Sequence, residues 1–544
     1  MRMPPLSSWL NQRLLRLPAP DTRSLQVDDT LQIPMRDGTV LLAARMTPRS
    51  GGDGLPVALM RGPYGRGGQF ALQLARPLAE RGFQVVLQSA RGTAGSGGEF
   101  EPLRNERSDG IDTVEWLFEQ PWFGESMIMF GPSYLGYTQI SMADLLPSQV
   151  KAIIPVVTTS TLLQGMVRAG GFPLEATFGW GVLMERQNQP LATTRMLLGA
   201  RKRRRAEKTL PLANAATVAL GHRSELIQNL LTHDADSPHW AGTDHRDHIG
   251  QAEVPTSMIT GWFDIFLDSQ LRDYGRMVAG GQQPRLTIGP WSHGSMEIIS
   301  TMVHEVLDFG LPLARGEAPV ERAPVRAFVM GAEQWRDLAS WPPPNYEARS
   351  FYLQPGGALT VEQAPVAESE PSSYHYDPAD PTPAVGGVRL LPGIKAGRVD
   401  NRMREQRDDV LTYISEALAE DLEIVGAVAA KIWFGSSSAH ADVFIRVCDV
   451  DPSGRSMNVC EGITGLTEAD ELDCGTVELT STAYLFKRGH RIRIQVSSGS
   501  FPQYNRNLGT GEPRLTATRM LPADQQVFHD PAHPSAVLLP VRTH

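Results

Sequence analysis

Short, largely apolar runs recur along the first 350 residues, at 56–60, 84–87 and 127–130. Such runs read as strands buried on both faces, as a parallel sheet requires. Between them, at 70–80 and 109–118, apolar residues fall at helical spacing, so the order predicts a mostly parallel sheet covered by helices. From about 147 to 242 the strand pattern fades into a polar, helix-rich segment. Strand-like runs return at 254–260 and 285–288, which predicts a helical segment inserted between strands of one sheet. After about 349 the pattern becomes short β runs between Gly, Pro and Asp turns, at 350–353, 443–450 and 491–497. The run 443–450 followed by Asp451-Pro452-Ser453-Gly454 predicts a hairpin, and the whole unit a β-sandwich of the jelly-roll kind. The expected division is 1–146 for the first part of the sheet, 147–243 for the insert, 244–348 for the second part and 349–544 for the β unit.

Composition narrows the function classes. The 544 residues exceed one ordinary core, which fits two or three domains. A net charge of −9 lacks the basic footprint of a nucleic-acid binder. No apolar run approaches the ~18–20 residues of a membrane-spanning helix. The first twenty residues have no long apolar core and no small-residue cleavage pattern, and read as a short surface helix. The basic run Arg201-Lys202-Arg203-Arg204-Arg205, within a helical stretch of an acidic chain, reads as a solvated helix face. Three cysteines, Cys448, Cys460 and Cys474, do not make a disulfide scaffold, although one bridge stays open. Together these point to a cytoplasmic location.

The chemistry concentrates in Gly131-Pro132-Ser133-Tyr134-Leu135-Gly136. An apolar strand runs into a small-residue turn and a helical pattern follows at once, the context of a nucleophile elbow, with the second glycine one place later than in Gly-x-Ser-x-Gly. A serine hydroxyl needs a base, and the base an orienting carboxylate. Asp264 follows the run 254–260 in Gly261-Trp262-Phe263-Asp264, and His293 follows 285–288 in Gly289-Pro290-Trp291-Ser292-His293. Both loops lie at the carboxyl ends of predicted strands, in the order nucleophile, acid, histidine. The expected catalytic residues are therefore Ser133, Asp264 and His293. A His/Asp-rich stretch from His233 to His248 could ligate a metal, but it reads as a polar connection returning from the insert. No cofactor and no metal are expected.

These motifs, with Ile33-Pro34-Met35-Arg36-Asp37-Gly38, Gly62-Pro63-Tyr64-Gly65, Val329-Met330-Gly331 and Asp449-Val450-Asp451-Pro452-Ser453-Gly454, resemble the cocaine-esterase and X-Pro dipeptidyl-peptidase family of α/β-hydrolases. The resemblance spans nearly the whole chain. It implies an α/β-hydrolase core, an inserted helical cap domain and a C-terminal β jelly-roll domain. It also implies an oxyanion hole made by the Tyr64 hydroxyl and the Tyr134 backbone N–H. In one place the chain departs from the family: Ser89-Ala90 stands where similar proteins carry an Asp before the Arg91-Gly92 turn.

Family members cleave esters, amino esters or peptides, so the substrate must be read from elsewhere. Similar amino-ester hydrolases place acidic residues just after the triad Asp, whereas Ile265, Phe266 and Leu267 stand there in this chain. A buried ammonium would meet an apolar wall. The X-Pro peptidases carry a large N-terminal domain, and about thirty residues precede the first predicted strand here. The expectation is a serine carboxylesterase for a small-molecule ester with an uncharged acyl group, held by Phe266, Trp180 and Phe178. X-Pro dipeptidyl-peptidase or α-amino acid ester hydrolase activity is the alternative, and a non-catalytic binding protein the remote one. Neither nucleic acid nor a membrane is expected as a partner, and a homodimer stays open.

Overall fold

The computed structural model describes residues 5–167, 170–187, 199–363, 369–391 and 394–543. Ten strands build the first sheet: β1 Leu25–Pro34, β2 Val40–Pro48, β3 Val57–Gly62, β4 Gln84–Ser89, β5 Met127–Pro132, β6 Val150–Val156, β7 Ser257–Phe263, β8 Arg285–Ser292, β9 Val325–Val329 and β10 Gln334–Leu338. Their order is β1-β2-β4-β3-β5-β6-β7-β8-β9-β10. The block from β4 to β9 is parallel, with antiparallel strands at both edges.

Strand β5 shows why its run is apolar throughout. Met127 and Met129 enter the core on one face, with the helices Glu106–Phe118 and Leu267–Ala279, while Ile128 and Phe130 enter the other, with Gln69–Ala79 and Met296–Glu305. With both faces covered, polar alternation has no place to appear. The N-terminal helix Pro5–Leu14 leads into Leu15 and Leu17, which are buried in the second of these clusters.

Two expected boundaries move. The insert was expected from 147, but β6 lies in the middle of the first sheet, between β5 and β7. Its sequence, VKAIIPV, is broken by Lys151 and Pro155, and a doubly buried strand offers no alternation to expose it. The helical segment therefore follows β6 and contains Leu174–Arg186, Ala200–Glu207, Ala215–Leu220 and Glu225–Thr232. The β unit was expected from 349, which falls inside the strand Tyr346–Leu353; the exposed Glu347, Ala348 and Arg349 hide its start.

The second sheet system has eleven strands, almost all antiparallel. Ala441–Val450 and Ser456–Leu466 form the expected hairpin. Cys448, Cys460 and Cys474 are free thiols. The two sheet systems share one apolar core, and Met330 joins them by hydrogen bonds with Ala483 and Leu485. Among the described residues no helix is long and apolar enough to cross a membrane.

The hairpin carries a buried ion pair. Arg446 and Glu461 are opposite in register, 2.5 Å apart at Nη2 and Oε2, and essentially inaccessible to solvent. Arg446 also donates to Asn401 Oδ1 and the Val385 carbonyl. Removing one partner strands the other charge in a dry core. We predict that Arg446→Met lowers stability by roughly 3–5 kcal/mol, read as a fall in urea midpoint, and that adding Glu461→Met recovers part of it. A single variant as stable as wild type would show that water reaches Glu461.

Candidate active site

Three loops at the carboxyl ends of β5, β7 and β8 carry Ser133, Asp264 and His293. Because these strands run parallel within one block of the sheet, their ends open on the same edge. Ser133 adopts φ 59° and ψ −126°, a strained backbone for a residue with a side chain. Its N–H donates to the Val156 carbonyl of β6 at 2.8 Å, and its own carbonyl accepts from Gly136 and Tyr137. The turn is therefore held from both sides.

The helix Tyr134–Ile140 begins immediately after Ser133. As its first residue, Tyr134 has an N–H with no acceptor inside the helix. Gly136 is required by close approach, since a Cβ there would lie 2.4 Å from Cγ2 and 2.9 Å from Cβ of Thr158.

His293 Nδ1 lies 2.6 Å from Asp264 Oδ2, and Asp264 Oδ1 accepts the Phe266 N–H at 2.8 Å. Both carboxylate oxygens are thus engaged, and the imidazole edge is fixed by one of them. Asp264 is fully buried, while the His293 side chain keeps slight exposure. Gly261 permits this approach of the β7 and β8 loops: a Cβ there would lie 2.4 Å from the Trp291 carbonyl oxygen. The Phe266 ring packs edge-on to the imidazole with centroids 5.6 Å apart.

Tyr64 follows β3 and sits edge-on to Tyr134 at 6.4 Å. Burial raises its phenol pKa, and the Trp180 indole and the Ser133 side chain beside the hydroxyl pull it back down. Trp180 Nε1 donates to Tyr64 Oη at 3.4 Å, and the indole stacks on Tyr134. Trp180 and Phe266 therefore meet Tyr64 and His293, respectively. Phe178 is fully buried in the apolar cluster of the helical segment.

A supporting network was not anticipated. The Tyr134 hydroxyl donates to Glu106 Oε1 at 2.9 Å and accepts the Leu103 N–H at 2.8 Å. Arg61, buried in β3, donates to Glu106 Oε2 and Gln88 Oε1. Burial raises the Glu106 pKa, opposed by the charge of Arg61. The signal in the sequence is an arginine directly after the apolar run 56–60. At the Ser89-Ala90 departure, Arg91 donates to Asp109, Asp37 and Thr39, and Ser89 Oγ accepts the Arg66 N–H. In the His/Asp-rich stretch His233 stacks on His239 at 4.3 Å, and no group of three metal-ligating side chains occurs among the described residues.

A cavity of about 630 Å³ borders Asp264 and Ile265, walled by the core, the helical segment and the β unit. Asp268 lines it one helical turn beyond Asp264 and accepts the Ser481 N–H at 3.0 Å. Glu175 and Glu461 also line it, but they are paired with Arg389 and Arg446.

Comparison with known proteins matches this architecture. Residues 37–295 match the X-Pro dipeptidyl-peptidase (S15 family), and residues 320–538 match the X-Pro dipeptidyl-peptidase C-terminal non-catalytic domain. The chain is 31% identical to the cocaine esterase of Rhodococcus sp. (strain MB1 Bresler), over 95% of this chain and 98% of that one. An aminopeptidase from the marine sediment archaeon Thaumarchaeota archaeon has a similar structure, with a TM-score of 0.81 at 22% identity over 97% of this chain and 98% of that one. An α-amino acid ester hydrolase gives 0.79 at 23% identity over 96% and 98%. At these identities the two structures speak for the fold.

The contact at Gly136 yields a prediction. Gly136→Ala forces its new methyl against Thr158 in the turn that holds Ser133. We expect a stability loss of about 1–3 kcal/mol in urea unfolding. Adding Thr158→Ser removes the nearer of the two Thr158 atoms it meets and should restore part of the loss, the Cβ contact at 2.9 Å remaining; no recovery would place the strain elsewhere.

Proposed function

Because the chain belongs to the cocaine-esterase and X-Pro dipeptidyl-peptidase family of hydrolases, we propose that it is a serine carboxylesterase acting on a small-molecule ester with an uncharged acyl group. The observation that carries the reading is the Asp264–His293 hydrogen bond of 2.6 Å on the sheet edge where Ser133 is held in a strained turn. In this reading the helical segment serves as a cap over the site, and the β unit is a jelly roll that walls it.

The mechanism is acyl transfer. Asp264 holds the Nδ1–H of His293, so the other ring nitrogen, Nε2, takes the Ser133 proton as Oγ attacks the ester carbonyl. The carbonyl π electrons move to oxygen, and the Tyr64 hydroxyl and the Tyr134 N–H donate to that oxyanion. Collapse expels the alkoxide, which His293 protonates, leaving an acyl-Ser133 ester. Water, deprotonated by His293, attacks this ester; the acid leaves and the proton returns to Ser133 Oγ. Trp180 donates to the Tyr64 oxygen, so the phenolic proton is left to serve the oxyanion. Phe266 gives the acyl group an apolar surface beside His293. The mechanism calls on no metal or cofactor.

Asp268 favours a second reading, hydrolysis of an ester or amide whose acyl group carries an ammonium. It lines the cavity beside Asp264, and among the described residues no guanidinium is in ion-pair range of its carboxylate as one is for Glu175 and Glu461, Arg272 acting on it from further off.

A panel of three substrates separates the readings: a neutral short-chain aryl ester, an α-amino acid ester and an Xaa-Pro anilide. Turnover of the neutral ester, reduced by on the order of 10⁶ in Ser133→Ala, is expected. Preference for the amino ester or the anilide, lost in Asp268→Asn, would overturn the uncharged-acyl assignment in favour of the second reading.

Tyr64→Phe removes the hydroxyl and keeps the ring. Its kcat on the preferred substrate should fall by roughly 10²–10³ with little change in KM. An unchanged kcat would remove Tyr64 from the oxyanion hole.

A further inference from the structure

Away from Ser133, a cleft of about 450 Å³ opens where the helix Ala200–Glu207 meets the β unit. Six cations line it, Arg203, Arg204, Lys208, Arg389, Arg407 and Arg506, against three carboxylates, Glu175, Glu207 and Asp380. The lining thus carries three more positive than negative charges, or two more once Asp409 behind Arg407 is counted, in a chain whose net charge is −9. The basic run read from the sequence as a solvated face supplies two of these cations.

Internal pairing uses up only some of them. Arg203 meets Glu207 at 3.2 Å, Arg389 meets Glu175 at 3.0 Å, and Arg407 meets Asp380 at 3.1 Å and Asp409 at 2.7 Å. Arg204 and Lys208 are exposed, with no carboxylate in ion-pair range among the described residues. Arg506 is only 9% exposed and gives its two terminal nitrogens to the carbonyls of Pro378 and Lys208, which leaves its charge without a carboxylate. Arg389 is 7% exposed, and its Nη1 has no hydrogen-bond partner. Burial pushes the Glu207 carboxyl up to about 7 against the pull of Arg203, which weakens one of the three offsetting charges near neutrality.

A buried guanidinium without a carboxylate, such as Arg506, is unfavourable unless an anion completes it, and Arg389, although paired with Glu175, keeps one terminal nitrogen unsatisfied. Their planar forks fit phosphate and carboxylate oxygens, often two at a time. We propose that this cleft binds a small di- or trivalent oxyanion, at a site distinct from Ser133. The exposed Arg204 and Lys208 draw the anion in, and Arg389 and Arg506 form the floor beneath it.

The test is thermal unfolding of the full chain at constant ionic strength, with inorganic pyrophosphate, citrate or sodium chloride added. A ligand that binds only the folded state raises Tm in a saturable way. Pyrophosphate or citrate should do this and chloride should not, and the tighter of the two tells a phosphate ligand from a carboxylate one. The double variant Arg204→Gln/Lys208→Gln should unfold at the wild-type Tm without anion and bind it at least tenfold more weakly. Ser133→Ala should bind as wild type does. The proposal is overturned if neither multivalent anion gives a saturable shift, if the double variant titrates like wild type, or if the shift disappears in Ser133→Ala.

Discussion

The site depends on a backbone that no isolated peptide would hold. Ser133 at φ 59° and ψ −126° costs on the order of 1–3 kcal/mol, so its surroundings must over-determine it. They do so from three directions. Strand β6 takes its N–H through the Val156 carbonyl, Leu135 fills the space that a Cβ at Gly62 would occupy, and Thr158 presses on Gly136. Val156 belongs to the middle of the sheet, Leu135 to the helix that follows Ser133 and Thr158 to the loop after β6, and all three are buried. The strain is therefore offset by packing that would exist without it, and the serine is presented on a rigid element instead of a mobile loop.

That same burial decides what could be read from the sequence. Strands β3, β4 and β5 announce themselves as largely apolar runs and β7 and β8 as shorter strand-like ones, and the loops after three of them carry chemistry-bearing residues in a telling order. Strand β6 did not announce itself. Lys151 and Pro155 interrupt its run, and a strand covered on both faces has no period to recover once the run is broken. The Asp264–His293 pairing could be anticipated because each residue follows a recognisable strand. The Arg61–Glu106–Tyr134 network could not, since it joins residues 28 and 45 apart along the chain, and Glu106 stands among polar residues that give it no distinguishing mark. Among the aromatics, spacing along the helix Leu174–Arg186 does not tell Trp180, which reaches Tyr64, from Phe178, which stays within the apolar cluster.

Buried charge organises the junctions between the structural units. Glu175 of the helical segment meets Arg389 of the β unit, and Asp268 of the core accepts the N–H of Ser481 across another junction. Pairs of this kind add little net stability compared with apolar packing, but they are intolerant of misregister, because any shift strands a charge away from water. They fix how the β unit sits against the core, and so fix the walls of the cavity beside Asp264. Arg389 and Glu175 have a further position in this scheme: both line that cavity and the cationic cleft, so the electrostatics of the two meet at one ion pair.

Asp268 shows how such a wall can bear on substrate charge. Burial raises its pKa, which opposes ionisation, while the Ser481 N–H and the more distant Arg272 favour it. In the proposed esterase reading, a neutral acyl group would leave this balance as it is. An ammonium would have to give up its hydration, but it would also stabilise the ionised carboxylate, and the attraction grows as water is excluded. One side chain can therefore be silent toward a neutral substrate and decisive toward a cationic one. Which regime holds depends on how dry the cavity becomes when an acyl group occupies it, because exclusion of water strengthens the attraction and raises the desolvation cost together. The motif after Asp264, apolar for three residues and then acidic one helical turn on, puts both kinds of wall on a single segment of chain.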